Sequence, residues 1–444
     1  MIKIGFVSLG CSKNQVDTEV MLGLLDKAGY EITSEEIEAD VIIINTCAFI
    51  ESAKKEAIDN ILDIAWLKEH RKLKKIIVTG CLAERYREQI LQQLPEVDAV
   101  VGVGSINNIC DVVERALKGE KCTSFEDKNT SALGGDRMVI TPTHSAYIKI
   151  AEGCDNRCTY CAIPLIRGKF RSRPIEDIVQ EAILFDKDGT KELSLIAQDT
   201  TRYGVDLYGD YSLVKLIRAI CEKTSIPHIR LLYCYPDKIT DELVQEIKNN
   251  PRVLKYIDLP IQHINDRVLS AMNRHGGSAV IKDAIKRLRD EIPQIVIRTT
   301  VIVGFPGETQ EEFDELLSFV KETEFERLGA FTYSREEDTP AYDFEDQIDE
   351  EIKDERLDSV MTLQAEIAQR YCEKQVGKVL DILVDEYDAA AGAYVGRSFA
   401  DAPDVDCCVF FDIDGDKTKY KQGDYVKVRI TDFEGYDLIG ESIK

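Results

Sequence analysis

The sequence predicts an α/β chain in three parts: an amino-terminal parallel α/β domain, a central partial (βα)6 barrel and a small carboxyl-terminal antiparallel β-barrel. Three observations carry this division. From residue 2 onward, short apolar strands alternate with amphipathic helices, the pattern of a parallel sheet covered by helices. The same alternation restarts at Ala146, after a stretch that has lost all periodicity. From Val376 the period falls to two, with turns such as Ile-Asp-Gly-Asp and Gln-Gly-Asp between short strands. A chain of 444 residues exceeds one ordinary hydrophobic core, so several domains are required.

In the first part, residues 1–120, strands are expected near 2–8, 40–45, 74–80 and 97–102, with helices near 14–28, 49–70, 83–94 and 106–118. Gly29 and Gly119 stand where helix stops belong. Residues 121–142, rich in turn formers, read as a linker. The second part, 143–374, offers six strands near 146–150, 192–197, 229–233, 256–261, 296–303 and 327–333, separated by helices. Six parallel strands fit a partial barrel, whose functional groups gather at the carboxyl-terminal rim as in the complete eight-fold one. A charged helix near 349–374 closes it, and 375–444 forms the small β-barrel.

Hydrophobic residues make up 44% and charged residues 31% of the chain, and every apolar run is broken before the 18 or so residues a membrane span needs. The start, Met-Ile-Lys-Ile-Gly-Phe-Val-Ser, reads as a first strand rather than a signal peptide, so a cytoplasmic location without membrane contact is expected. Thirteen cysteines in such a chain point to metal binding or catalysis rather than disulfides, and an odd number cannot pair completely. The net charge of −25 argues against a general polyanion-binding surface and suits a basic partner.

Six cysteines fall into two sets of three. Cys154, Cys158 and Cys161 stand in Glu-Gly-Cys-Asp-Asn-Arg-Cys-Thr-Tyr-Cys, directly after the first barrel strand. Thiolates select soft metals, and a four-iron cluster ordinarily takes four of them, so three leave one iron open to a small molecule. The competing reading is a zinc site completed by a distant ligand, and no histidine lies near this loop. Cys11, Cys47 and Cys81 each follow a successive strand of the first domain. Because ligands of parallel sheets collect at the carboxyl ends of strands, these three are expected to converge on one edge; three buried structural cysteines are the alternative. The other seven, Cys110, Cys122, Cys221, Cys234, Cys372, Cys407 and Cys408, show no ligand spacing. Among five scattered histidines, only His263, in Leu-Pro-Ile-Gln-His at a strand end, merits a test.

Cys-x3-Cys-x2-Cys on the first strand-loop of a βα barrel resembles the radical S-adenosylmethionine (SAM) superfamily. The resemblance implies a [4Fe-4S] cluster whose open iron binds SAM and cleaves it to a 5'-deoxyadenosyl radical. It places the aromatic residue before the last cysteine, Tyr160, by the adenine, and likens the turn Gly304-Phe305-Pro306-Gly307-Glu308 to the adenine-side turn. Gln198, Asp199 and Arg298, on strand ends of the same rim, are candidates for the cofactor pocket; ordinary rim polar residues are the competing reading.

A three-cysteine α/β domain, a radical SAM barrel and a TRAM-like β-barrel in this order resembles the methylthiotransferase family over essentially the whole chain. That implies two [4Fe-4S] clusters, the one on Cys11, Cys47 and Cys81 holding the sulfur to be transferred, and a second SAM as methyl donor. Lys3-Ile-Gly-Phe-Val-Ser-Leu-Gly-Cys-Ser-Lys-Asn14, Val16-Asp-Thr-Glu19 and Gly396-Arg-Ser-Phe-Ala-Asp-Ala-Pro-Asp-Val-Asp406 resemble the RimO branch, which modifies the β-carbon of an aspartate in the twelfth protein of the small ribosomal subunit. The sister branch, MiaB, modifies an adenosine derivative in transfer RNA, and a non-catalytic iron-sulfur sensor is a third reading.

Charge separates the branches independently. Residues 372–444 hold 16 acidic and 9 basic side chains, whereas an RNA-binding barrel needs a basic track with stacking aromatics. Tyr387, Tyr394, Phe399, Phe410 and Phe411 therefore read as core. A basic ribosomal protein is the expected partner and nucleic acid is not expected as direct substrate. The sequence names neither an electron donor nor a sulfur source.

Overall fold

The computed structural model describes residues 1–413, 415 and 417–443. The first domain is a six-stranded, wholly parallel sheet of β1 (Lys3–Ser8), β2 (Glu31–Thr33), β3 (Val41–Thr46), β4 (Lys75–Gly80), β5 (Ala99–Val101) and β6 (Cys122–Ser124), in the order β2-β1-β3-β4-β5-β6. The unbroken run Val-Ile-Ile-Ile of β3 follows from its central place: helices cover both faces and every residue of the strand is buried. Two edge strands, β2 and β6, were not expected. Both are three residues long, too short to show a period. β6 lies inside the segment read as linker, and Met138 N donates to Glu19 O at 2.9 Å, so much of that segment is fastened to the first domain. The helix expected over 83–94 is two, Cys81–Tyr86 and Glu88–Gln93, broken at Arg87, whose φ of 44° no helix accommodates.

The second sheet contains the six expected strands, all parallel: β7 (Ser145–Lys149), then, after the two-residue strands β8 (Ala151–Glu152) and β9 (Arg171–Ser172), β10 (Glu192–Ile196), β11 (His228–Leu231), β12 (Val253–Asp258), β13 (Val296–Val303) and β14 (Arg327–Thr332). Each strand pairs with its sequence neighbour, so the sheet curls into an open barrel with free edges at β7 and β14. The helix Glu350–Glu373 packs along β14; its Val360 and Ile367 enter the barrel core and its Cys372 the core of the last domain, so one helix spans both.

The last domain closes as β15 (Val379–Asp388), β16 (Ala393–Arg397), β17 (Val409–Phe411), β19 (Asp437–Ser442) and β18 (Tyr425–Glu434). Four of its pairings are antiparallel as expected, but β17 and β19 run parallel. Tyr394 and Phe411 are buried in its core, as the sequence suggested; Phe399 packs elsewhere.

Residues 398–406, between β16 and β17, leave this small barrel and enter the large one. Phe399, Ala400 and Ala402 pack with Tyr147, Ile196, Leu254, Tyr256 and Val296 from four barrel strands and with Leu232, one residue past β11. Polar contacts ring this plug: Arg327 to Asp401 at 2.6 Å, Tyr256 Oη to Asp406 at 2.6 Å, Tyr147 Oη to Asp404 at 2.8 Å and Arg230 to the Phe399 carbonyl at 2.9 Å. Asp401 and Asp406, counted among the acidic side chains of the last domain, are thus turned inside the protein. No helix among the described residues is long and apolar enough to cross a membrane.

Candidate active site

Cys11 directly precedes the helix Ser12–Lys27, Cys81 is the first residue of Cys81–Tyr86, and Cys47 follows β3. All three therefore lie at the carboxyl edge of the first sheet, two of them at helix amino ends, where the peptide dipoles favour thiolate. Close backbone approach brings them together. A Cβ on Gly10, whose φ is 92°, would lie 3.2 Å from Cys47 Sγ, and one on Gly80, at φ 91°, would lie 2.4 Å from the Thr46 carbonyl. Asn14 staples the same loops, its Nδ2 donating to Leu9 O at 2.9 Å and Thr46 O at 2.8 Å.

The thiols differ in environment. Burial pushes Cys81 up to about 12 and raises Cys47, while at Cys11 the desolvation is outweighed by the positive charges of Lys13 and Arg167, which leave its pKa below the ordinary value. The Arg167 charge acts on all three thiols.

The second set sits on the loop after β8. Gly153 begins it at φ 74°, and a Cβ there would lie 2.0 Å from the Lys169 carbonyl. Thr159 anchors its middle, N to Met272 O at 3.1 Å and Oγ1 to Ala271 O at 2.8 Å. Cys154 and Cys158 are buried and Cys161 half-buried. Burial pushes Cys154 up to about 11 and Cys161 higher still. Tyr235 Oη stands 3.5 Å and Arg274 Nη1 4.0 Å from Cys158 Sγ, with Arg274 stacked 4.1 Å over the Tyr235 ring.

The expected cofactor residues take different places. Tyr160 packs against Met272, Phe305, Tyr333 and Ala341, beside the Gly304–Glu308 turn to which it was linked by resemblance. Gln198 donates through Nε2 to Glu152 at 3.1 Å, and its buried Oε1 has no partner among the described residues, which leaves an acceptor ready for a ligand at the rim. Asp199 is fully buried and holds the cysteine loop from beneath: Asn156 Nδ2 reaches it at 2.8 Å, Thr201 Oγ1 at 2.7 Å and Lys238 at 2.9 Å. Arg298 is the third residue of β13, well ahead of that strand's carboxyl end; it pairs with Asp258 at 2.9 Å and Asp406 at 3.4 Å. Both are thus engaged in buried ion pairs, Asp199 bracing the cysteine loop and Arg298 joining two neighbouring carboxylates. His263 is fully buried, its Nδ1 accepting from Asn265 N at 3.0 Å, and stands in the core of a turn.

Between the cysteine sets runs a buried charge cluster the sequence did not reveal. Arg167 donates to Asp17 at 2.5 Å and Glu152 at 3.2 Å, Lys149 bonds Asp17 and reaches Glu152 at 2.6 Å, and Arg167 Nη2 also contacts Asn14 and lies 3.7 Å from Cys81 Sγ. Glu152 is the residue before Gly153, so the chain of contacts passes from Cys81 to the loop of Cys154. Burial opposes ionisation of Glu152, yet Lys149 and Arg167 hold its carboxyl at about 2. Asp17 lay within a segment singled out for its resemblance; its pairing with Lys149 and Arg167, more than 130 positions away, has no local signal.

Among the described residues no three His, Cys, Asp or Glu side chains close on a single metal ion. Thiol triads at strand ends with cations behind them fit the larger span and the negative charge of an iron-sulfur cluster. The chain matches a family model described as uncharacterized protein family UPF0004 over residues 3–102, the radical SAM superfamily over 148–320 and the TRAM domain over 376–443. It is 49% identical to the ribosomal protein uS12 methylthiotransferase RimO of Thermoanaerobacter sp. (strain X514), across 99% of this chain and 100% of that one. The same enzyme of Desulforamulus reducens is 49% identical over 99% of each chain. The chain belongs to the RimO family. Among solved structures, the radical SAM methyltransferase TsrM from Kitasatospora setae matches with a TM-score of 0.57 at 13% identity, covering 87% of this chain and 79% of that one, which shows a shared fold. With the family, the fold class expected from the strand periods stands: two parallel α/β parts followed by a closed β-barrel.

Proposed function

We propose that this chain is a radical SAM methylthiotransferase that adds a methylthio group to the β-carbon of an aspartate in ribosomal protein uS12, and that it carries two [4Fe-4S] clusters. The activity and the use of SAM with a [4Fe-4S] cluster follow from the RimO family and the radical SAM domain. The single observation that carries the two-cluster reading is that Cys11, Cys47 and Cys81 meet at one sheet edge while Cys154, Cys158 and Cys161 share one loop, the two joined by Arg167, Asp17 and Glu152.

Cys154, Cys158 and Cys161 would hold a cluster able to bind SAM at an open iron and give the one electron its cleavage needs, and Cys11, Cys47 and Cys81 would hold one with an open iron for sulfur. The protein's own groups do the placing. Tyr160 and the Phe305 turn offer an apolar wall for the adenine, Gln198 Oε1 an acceptor for the cofactor, and Asp199 with Asn156 and Lys238 fixes the cysteine loop. The plug covers the barrel's inner face, so the substrate aspartate enters from the rim between the first two domains. A ribosomal substrate implies a cytoplasmic enzyme.

The test is peptide mass spectrometry of uS12 and of transfer RNA after incubation with reconstituted enzyme, SAM, sulfide and a strong reductant. A methylthio adduct on a uS12 aspartate is expected, lost in both Cys81→Ala and Cys154→Ala, with deoxyadenosine release surviving only in Cys81→Ala. An adduct on transfer RNA alone overturns the substrate, and wild-type protein that loads only four irons overturns the second cluster.

A further inference from the structure

The bridge between the two cysteine sets is unusual in its chemistry. Arg167 is 2% exposed and Asp17, Lys149 and Glu152 are each no more than 6% exposed. Burying four charges costs several kcal/mol per ion unless geometry and hydrogen bonding are complete, and replacement of such groups by apolar residues is often neutral or stabilising. Stability alone is therefore a poor reason for this cluster. Its position offers a better one. Arg167 uses Nη1 for the carboxylates and Nη2 for Asn14 and the Cys81 sulfur, so one planar guanidinium faces both domains at once. Lys13 supplies a second positive charge beside Cys11.

We infer that Arg167 is a positioning residue for the amino-terminal cluster: it donates a hydrogen bond to the Cys81 thiolate, raises that cluster's reduction potential, and through Asp17 and Glu152 locks it in register with the loop of Cys154. The inference rests on the two-cluster reading above. Hydrogen bonds to cluster sulfurs and nearby positive charge stabilise the more negative, reduced state, so removing the guanidinium makes the cluster harder to reduce. The cluster on Cys154, Cys158 and Cys161 has its own cation, Arg274, and keeps its potential.

The experiment is a redox titration of the reconstituted holoenzyme followed by electron paramagnetic resonance, comparing wild type with Arg167→Gln and Arg167→Lys. Iron content is measured first: if wild type binds only four irons the two-cluster reading fails, independently of Arg167. With eight irons bound, Arg167→Gln is expected to shift the amino-terminal cluster to a more negative potential, to leave the other unchanged and to weaken the magnetic coupling between the two reduced clusters. Arg167→Lys retains the charge but not the second N–H, and falls between. If Arg167→Gln does not fold or load iron, Arg167→Lys carries the test. An amino-terminal potential and a coupling equal to wild type in the soluble variants, or equal shifts in both clusters, overturn the proposal.

Discussion

Lys13 Nζ lies 3.1 Å from the centroid of the Tyr233 ring. Lys13 is the second residue of the helix Ser12–Lys27, two after Cys11; Tyr233, at φ 60°, stands just beyond β11 at the barrel rim. A desolvated ammonium over an aromatic face is worth up to about 2 kcal/mol, and here it clamps the first domain on the mouth of the barrel.

Tyr233→Leu keeps the apolar bulk and removes the clamp. SAM cleavage is expected to continue while methylthio product per deoxyadenosine falls by up to about thirty-fold, the scale set by a contact of that strength. Quantifying both products by chromatography checks it; an unchanged ratio would show that the clamp has no part in aligning the sites.

Gly153→Ala places a Cβ 2.0 Å from the Lys169 carbonyl at a φ of 74°. The cysteine loop must shift, so the barrel cluster is expected not to load, and bound iron should fall to about half that of wild type. Gly119→Ala, with open space around its Cβ, is the control for substitution at positive φ.

Asp401 joins the plug to β14 through Arg327 and also accepts from Ser398. Asp401→Ala strands a buried guanidinium and should cost about 3–5 kcal/mol. Arg327→Met with Asp401→Leu should recover much of that loss. Urea unfolding followed by far-ultraviolet circular dichroism measures both; a single variant as stable as wild type would show the plug to be loosely held.

His263 is fully buried, and desolvation lowers its pKa from 6.5 to about 4. The unfolded chain takes up a proton near 6.5 and the folded one does not, so the stabilisation is whole above that pH and drains away as pH falls toward 4. Between pH 7 and 5 the loss amounts to about 2 kcal/mol. Urea midpoints across that range should fall less steeply in His263→Gln; identical slopes would place the titration elsewhere.

The sequence showed whatever repeats locally. Strand-helix alternation located all six barrel strands, and equivalent positions after successive strands picked out Cys11, Cys47 and Cys81, which the structure brings to one edge. What depends on distant pairing stayed hidden. Asp17 and Arg167 are 150 positions apart, and neither residue type at either place announces the other. Arg298 and Asp199 stood out because strand ends usually carry ligands, whereas their ion pairs with Asp258 and Lys238 join residues 40 and 39 positions apart and left no local trace. The segment Gly396–Asp406 stood out by resemblance alone; only its insertion among the barrel strands gives a physical reason for its composition, small and acidic where arginines and tyrosines wait.

That insertion also sets a schedule. Translation proceeds from the amino end, so every strand of the large barrel leaves the ribosome before residues 398–406 exist. Until they arrive, Tyr147, Tyr256, Arg230 and Arg327 have an uncovered apolar and cationic floor. The nascent chain thus cannot complete its radical-generating interior ahead of its own last domain, and truncated products are left without a finished chamber.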